Sequence, residues 1–135
     1  MDDIPHKTFS FEKLIAYQES KALVVKVYNL LKGFPSEERY ALCDQIRRAV
    51  VSVPSNIAEQ GGRTSFKEKI HFLEIACGSL METYCQLQIA VDLGYIDISL
   101  LEEIRPQFIK ISKLLSGLRK RLQSGTSSLN LNYNL

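Results

Sequence analysis

The sequence predicts an all-α protein, an antiparallel up-down-up-down four-helix bundle whose second helix is bent at a proline. Apolar residues recur at alternating spacings of three and four over long segments, which is the period of a helix with one buried stripe. Short connections separate these segments, and short connections force consecutive helices to run antiparallel. No segment shows the alternation of apolar and polar residues that is typical of a half-buried β-strand.

Length and composition indicate one domain, because 135 residues with 45% hydrophobic and 24% charged residues are enough for a single core. We divide the chain into a flexible N-terminus (residues 1–9), the four-helix bundle (10–123) and a disordered tail (124–135). No apolar run approaches the roughly 18 residues that span a membrane. The N-terminus has acids where a signal peptide has bases, so we expect a cytoplasmic protein.

The first predicted helix extends from Phe11 to Lys32, with Ser10 as its N-cap. Its apolar positions are spread over more than one side, so we expect it to contact more than one neighbouring helix. The sequence Gly33-Phe34-Pro35-Ser36 ends this helix and begins a turn.

The second predicted helix extends from Glu37 to Gln60 and stops at two glycines. Pro54 lies inside its core stripe, which consists of Cys43, Ile46, Val50, Val53 and Ile57. An internal proline removes one backbone hydrogen bond and crowds the preceding turn, at a cost of roughly 3 kcal/mol, so we predict a bend near Val50–Pro54. Three polar side chains near the bend are candidates to bond the freed carbonyl of Val50: Ser52, Ser55 and Asn56.

A second, polar stripe follows another face of the same helix, and it contains Gln45, Arg48, Ser52, Asn56, Glu59 and Arg63. Two interpretations stay open. The stripe is either a solvated face, or a polar contact surface inside the bundle or between subunits. Ser and Asn are mediocre helix formers, which favours the contact surface.

The third predicted helix extends from Phe66 to Leu93 behind a capping box at Ser65. Its core stripe is Phe66, Ile70, Leu73, Cys77, Leu80, Tyr84, Leu87 and Val91. An adjacent stripe of small residues, which allows another helix to approach closely, contains Ala76, Ser79, Thr83 and Ala90. After a stop at Gly94, the fourth helix is capped by Asp97 or Ser99.

No catalytic, cofactor or metal site is predicted, and we expect a protein that is not an enzyme. Glu68 and His71 have the Glu-x-x-His spacing of di-iron bundles, but the second such pair is missing, and His71 is assigned to the surface or to the boundary of the core. The three cysteines lack metal-ligand spacing, and we interpret them as reduced core residues: Cys43, Cys77 and Cys85.

Two blocks of the sequence resemble the four-helix-bundle protein family encoded in bacterial 23S ribosomal RNA intervening sequences. They are Arg47–Arg63, RRAVVSVPSNIAEQGGR, and Phe72–Glu82, FLEIACGSLME. Gln60 departs from the family pattern, since a glycine is usual after the Ala-Glu pair. On the first block, the family-motif or interface residues are Arg47, Arg48, Ser52, Pro54, Asn56 and Glu59.

The resemblance also has functional implications. The family is related to the accessory variability determinant of diversity-generating retroelements, a basic pentameric barrel that engages a reverse transcriptase and nucleic acid. The resemblance therefore implies a homopentamer and a role linked to RNA or DNA.

Charge distribution adds a candidate surface, although the net charge of +2 is too small by itself to indicate nucleic-acid binding. In the predicted topology, one end of the bundle collects the start of helix one, the end of helix two, the start of helix three and the end of helix four. The nucleic-acid-binding candidates at this end are Arg63, Lys67, Lys69, Arg119, Lys120 and Arg121. The alternative is a protein-protein adaptor or structural assembly protein without nucleic-acid affinity.

Overall fold

A computed structural model describes residues 8–125 of the chain. Within this range all regular structure is helical and no strand is present, which confirms the predicted all-α class with four helices. The predicted N-terminal segment (residues 1–9) and tail (124–135) lie largely outside the described residues. The elements are α1 (Ile15–Leu31), α2 (Leu42–Gly61), α3 (Phe66–Asp92) and α4 (Ile98–Gln123), with 3-10 turns at Ser10–Lys13 and Ser36–Glu38.

The first helix begins later than predicted, because the backbone of Leu14 is extended (φ −71°, ψ 130°) between a 3-10 turn and α1. Phe9, rather than Ser10, is the N-cap of this turn, and its backbone N–H donates to the Glu12 carboxylate at 2.6 Å. The extended residue lets Leu14 enter the core, where it is 1% exposed, while Phe11 packs against α2 at Gly61. The packing of Leu14 and Phe11 therefore explains why the predicted helix does not run continuously from Phe11.

The second helix begins at Leu42 rather than at Glu37. Glu38 accounts for the difference, because its two carboxylate oxygens accept from the Leu42 backbone N–H at 3.3 Å and from the Tyr95 hydroxyl at 2.7 Å. Tyr95 lies in the connection between α3 and α4, and its ring also packs on Phe34. A contact distant in sequence thus draws residues 36–41 away from the helix.

α2 continues through the buried Pro54 to Gly61. The expectation that nearby side chains form hydrogen bonds with the carbonyl of Val50 is wrong for Asn56. Its amide donates to the carbonyl and the hydroxyl of Ser52, at 2.8 and 2.9 Å.

The ends of α3 and α4 follow the sequence signals. Ser65 caps α3 by accepting from the Glu68 backbone N–H at 3.1 Å. Gly94 has a positive φ of 79° after α3, the left-handed conformation that glycine adopts without steric cost. Asp97, rather than Ser99, caps α4 by accepting from the Ser99 N–H at 2.9 Å.

The predicted core stripes meet in one core, to which all four α-helices contribute. α2 contacts α1 and α3, while α4 contacts α3 and α1. The small residues of α3 are buried, and the Ser79 hydroxyl lies 2.8 Å from the Ser52 hydroxyl, so this stripe packs on α2 within the chain. No helix within residues 8–125 is long and apolar enough to cross a membrane.

Two predicted core positions are wrong. Cys43 is buried and Cys77 is half-buried, but Cys85 is exposed on the outer side of α3. Phe66, the first residue of the predicted α3 core stripe, is 39% exposed. His71 is exposed, as predicted.

Candidate nucleic-acid interface

The six candidate cations lie where α2 ends, α3 begins and α4 ends. We call this set the basic end: Arg63, Lys67, Lys69, Arg119, Lys120 and Arg121. Lys69 joins the end of α2 to the start of α3, and Arg119 joins α3 to the last turns of α4. The six residues differ in how much of their charge is used inside the chain.

Arg63 is held by three neighbours just after α2. Its guanidinium forms an ion pair with Glu59, lies 3.9 Å from the Glu68 carboxylate, and stands 4.7 Å from the ring centre of Phe72. A cation over an aromatic face is attracted by the ring electrons. Arg63 therefore fixes the α2–α3 connection, and its charge is balanced locally.

Lys69 serves the helix next to its own. Its ammonium donates to the backbone carbonyl of Gln60 at 3.0 Å, in the last turn of α2. Burial lowers the pKa of Lys69 from its ordinary value of 10.5. A cation in the first turn of a helix is unfavourable, but at the carbonyl end of α2 it complements the helix dipole. This contact explains why a lysine is found near the start of α3, where the dipole of α3 alone would disfavour it.

Arg119 crosses the seam between α3 and α4. One guanidinium nitrogen lies 3.8 Å from the Glu74 carboxylate, and Nε is buried without a hydrogen-bond partner within residues 8–125. The half-buried Cys77 thiol lies beside it; burial raises the pKa of Cys77, and the nearby Arg119 charge partly opposes that rise. Arg119 is thus partly a packing residue.

The remaining three cations carry the uncompensated charge of the basic end. Lys67 and Lys120 are exposed and Arg121 is half-buried, and none of them forms an ion pair with another residue in 8–125. Three acids at this end are engaged by Arg63 and Arg119: Glu59, Glu68 and Glu74. These three cations are therefore free to bind an external anion.

An open groove of about 630 Å³ runs between the start of α3 and the end of α4, and its charged lining residues are Lys67 and Glu74. Its walls include Phe66, Lys67, Ile70, His71 and Leu122. Sequence reasoning missed the groove because Phe66 was assigned to the core stripe. The exposed ring places a stacking surface next to an ammonium group.

The polar stripe of α2 is divided between the two interpretations. Its middle is a contact inside the chain, since Ser52 bonds both Asn56 and Ser79 at the α2–α3 seam. Arg48 near one end is 84% exposed, while Glu59 at the other pairs with Arg63.

Arg47 and Pro54, the other two family-motif residues, face other parts of the chain. Arg47 is half-buried and donates to the Arg39 carbonyl at 3.2 Å, whereas Pro54 is buried. Within residues 8–125, no three His, Cys, Asp or Glu side chains are grouped to hold a metal ion.

The family model described as 23S rRNA-intervening sequence protein matches residues 12–117. A crystal structure from Bacteroides thetaiotaomicron VPI-5482, of a protein with unknown function from the S23 ribosomal protein family, is similar with a TM-score of 0.72 and 28% sequence identity. The match covers 78% of this chain and 99% of that chain. No curated protein matches the chain.

Proposed function

Because the chain belongs to the 23S rRNA-intervening sequence protein family, we propose that it is a non-enzymatic, homo-oligomeric helical-bundle protein that binds RNA or DNA through its basic end. The observation that carries the proposal is the group of cations without ion pairs at the basic end, Lys67, Lys120 and Arg121, of which Lys67 lines a groove together with the exposed Phe66. The family assignment made from the two sequence blocks is confirmed.

A single strand suits this surface better than a duplex. Phosphates bind ammonium and guanidinium groups without reading sequence, and a base stacks on an exposed aromatic ring because every base has a π-face. Phe66 and Lys67 are consecutive, so one nucleotide can use both. We expect salt-sensitive binding with little sequence preference.

The arrangement of the helices is also part of the proposal, namely an antiparallel up-down-up-down bundle with α2 bent at Pro54. Its support is that residue numbers run in opposite directions along α2 and α3, since Ser52 bonds Ser79 and Gln60 bonds Lys69. Pro54→Ala is expected to keep the fold, straighten α2 and disturb assembly. An unchanged subunit count together with an unchanged thermal midpoint would count against a role for the bend.

Assembly is supported by apolar side chains that the single chain leaves uncovered. Met81 (52% exposed) and Ile109 (41% exposed) flank a groove of about 300 Å³ whose walls include Tyr84 and Phe108. Val25 on α1 is 62% exposed. Contiguous apolar surface of this kind marks interfaces. Five subunits, and the link to the retroelement accessory protein, rest on the resemblance alone.

The nucleic-acid test is a triple variant, Lys67→Gln, Lys120→Gln and Arg121→Gln, which leaves the packed Arg119 in place. Binding to a single-stranded RNA of mixed sequence and to its duplex is measured between about 50 and 200 mM salt. Each phosphate contact contributes about 0.7 to the slope of log K against log salt for a single strand, so the variant should lose up to about 2. Phe66→Leu should weaken binding of the single strand more than that of the duplex.

The matched control removes three exposed cations elsewhere, by Lys26→Gln, Arg48→Gln and Arg105→Gln. It changes the net charge equally and should keep the wild-type slope. Equal slopes for wild type and the basic-end variant would show that this end does not bind nucleic acid.

The assembly test uses light scattering on Met81→Glu and Ile109→Glu, with Val51→Glu as a control at another exposed apolar position. The first two should lower the subunit count and the control should not. A monomeric wild-type protein at micromolar concentration would contradict the proposal.

A second candidate function is a protein-binding adaptor without nucleic-acid affinity. It is favoured by the fact that Arg63, Lys69 and Arg119 already have partners within the chain. The adaptor predicts no salt-dependent RNA binding by the wild type, so the same titration decides between the two functions.

A further inference from the structure

A cavity of about 440 Å³ lies between the last turn of α1, the α1–α2 connection and the first turns of α2. Its apolar wall includes Leu31, Phe34 and Cys43, which are at most 8% exposed. Tyr28 and Ser36 also line the cavity. A volume of this size is within the usual range for small-molecule sites, about 300–1,000 Å³.

Every charged residue that lines the cavity is a cation: Lys32, Arg39 and Arg47. None of the three carboxylates close in sequence lines the cavity, and Glu37, which follows Ser36 of the lining, is exposed. Glu38 accepts from Tyr95 and from the start of α2, and Asp44 pairs with both Arg47 and Arg48. Residues 31–48 contain four cations and three acids, and only cations are among the charged residues that line the cavity.

Arg47 is held in place before any ligand arrives. Its Nη1 donates to the Arg39 carbonyl at 3.2 Å and to Asp44 at 3.3 Å, and its side chain is 30% exposed. The other two guanidinium nitrogens have no partner within residues 8–125, and they can donate to an external oxygen. A fixed guanidinium binds two oxygens of a phosphate or carboxylate with little loss of side-chain freedom.

Structural roles explain part of this cluster but not all of it. Lys32 follows the C-terminus of α1, where a cation complements the helix dipole, and Arg47 also braces the connection. The Arg39 side chain has no ion pair within residues 8–125 and is exposed at the cavity. No ion pair among these residues accounts for its charge at this position.

We propose that this cavity binds a small organic phosphate monoester, with the phosphate on Lys32, Arg39 and Arg47 and an aromatic or apolar body on the Leu31–Phe34 wall. A phosphate monoester carries a charge of about −1.5 to −2 near pH 7, which matches three cations better than a carboxylate does. The site is separate from the basic end, because the 20 residues of α2 extend about 30 Å between the two.

The test titrates phenyl phosphate into the full chain, with backbone amide shifts followed by NMR. Saturable shifts are expected around Phe34 and Arg39, with a Kd on the order of 1 mM for a ligand of this size. Lys32→Gln and Arg39→Gln should each weaken binding about tenfold or more. Arg48→Gln is the matched control, since it removes a neighbouring exposed cation that does not line the cavity and should leave the Kd unchanged.

Two further probes test the ligand class. Benzoate and inorganic phosphate should both bind more weakly than phenyl phosphate, because the first has one charge and the second lacks the apolar body. Equal binding by either probe would overturn the assigned class. The site itself would be overturned by unchanged affinity in Lys32→Gln and Arg39→Gln, by shifts confined to the basic end, or by no saturation below about 10 mM.

Discussion

Gly78→Ala should stabilise the protein, although Gly78 lies in the middle of the longest helix. Gly78 is exposed on α3, its φ is not in the left-handed region, and a Cβ added there would have no atom within 4 Å. The substitution therefore adds a methyl group without a steric cost. Its effect comes from the unfolded chain, since alanine has fewer backbone conformations to lose than glycine.

The expected gain is about 0.8–1.0 kcal/mol in the free energy of unfolding, which is the difference in helix propensity between glycine and alanine. For a domain of this size, such a gain raises the thermal midpoint by about 3–5 °C. Urea unfolding followed by circular dichroism measures it, with an unchanged m-value as evidence that the unfolded state is comparable.

Gly61→Ala is the matched control, because Gly61 also lies in a helix but faces a neighbour. A Cβ there would stand 3.3 Å from Cβ and 3.6 Å from Cδ1 of Phe11. The propensity gain is smaller at Gly61, because it is the last residue of α2, and displacement of the Phe11 side chain opposes it, so the net change should be near zero or destabilising.

Equal effects of the two substitutions would refute the reasoning from local contacts. So would a destabilisation of more than about 0.5 kcal/mol by Gly78→Ala, measured at concentrations where the protein is monomeric. Gly78→Ala could also raise the stability of the monomer while lowering the subunit count. That result would mean that another subunit covers Gly78 and that the apolar side chains beside it on α3 belong to an interface.

Three other predictions test the interior and the helix ends. Cys85 is exposed and should be the one thiol that reacts rapidly with a thiol reagent in the folded protein. Burial raises the pKa of Cys43 and limits the reagent's access to it. Cys85→Ser should therefore abolish the rapid phase of the reaction. Ser52→Ala should lower the free energy of unfolding by about 1–3 kcal/mol, because the buried Ser79 hydroxyl loses its Ser52 partner. In urea unfolding, the double variant Ser52→Ala and Ser79→Ala should lose less stability than the sum of the two single variants. Asp97→Ala should lower the thermal midpoint at neutral pH. The hydrogen bond from the Ser99 backbone N–H to the Asp97 carboxylate lowers the pKa of Asp97 from 3.8. The difference from wild type should therefore shrink as the pH falls through that pKa.

The sequence by itself determined the features that depend on short stretches of chain. Helical periodicity gave the number and type of the elements, and the signals at Ser65, Gly94 and Asp97 marked where α3 begins and ends and where α4 begins. These signals are readable because each involves backbone groups within a few residues of the side chain or glycine that provides it. The family could also be identified from the sequence, because each of the two blocks is a continuous segment that is readable without the tertiary structure.

Tertiary structure decided every feature that depends on a distant partner. The later starts of α1 and α2 follow from packing of Phe11 on Gly61 and from the bond between Tyr95 and Glu38. Likewise, a local pattern placed Lys69 unfavourably at a helix start, whereas its partner is a carbonyl of the preceding helix.

The basic end and the cationic cavity show the same division. The sequence placed six cations at one end of the predicted bundle, but only their contacts separated Arg63, Lys69 and Arg119, which have partners in the chain, from the three without ion pairs. The cavity joins Lys32 and Arg47, which are fifteen positions apart. Periodicity reports which side of a helix is apolar, whereas the identity of the group facing each side chain is fixed only when the helices pack.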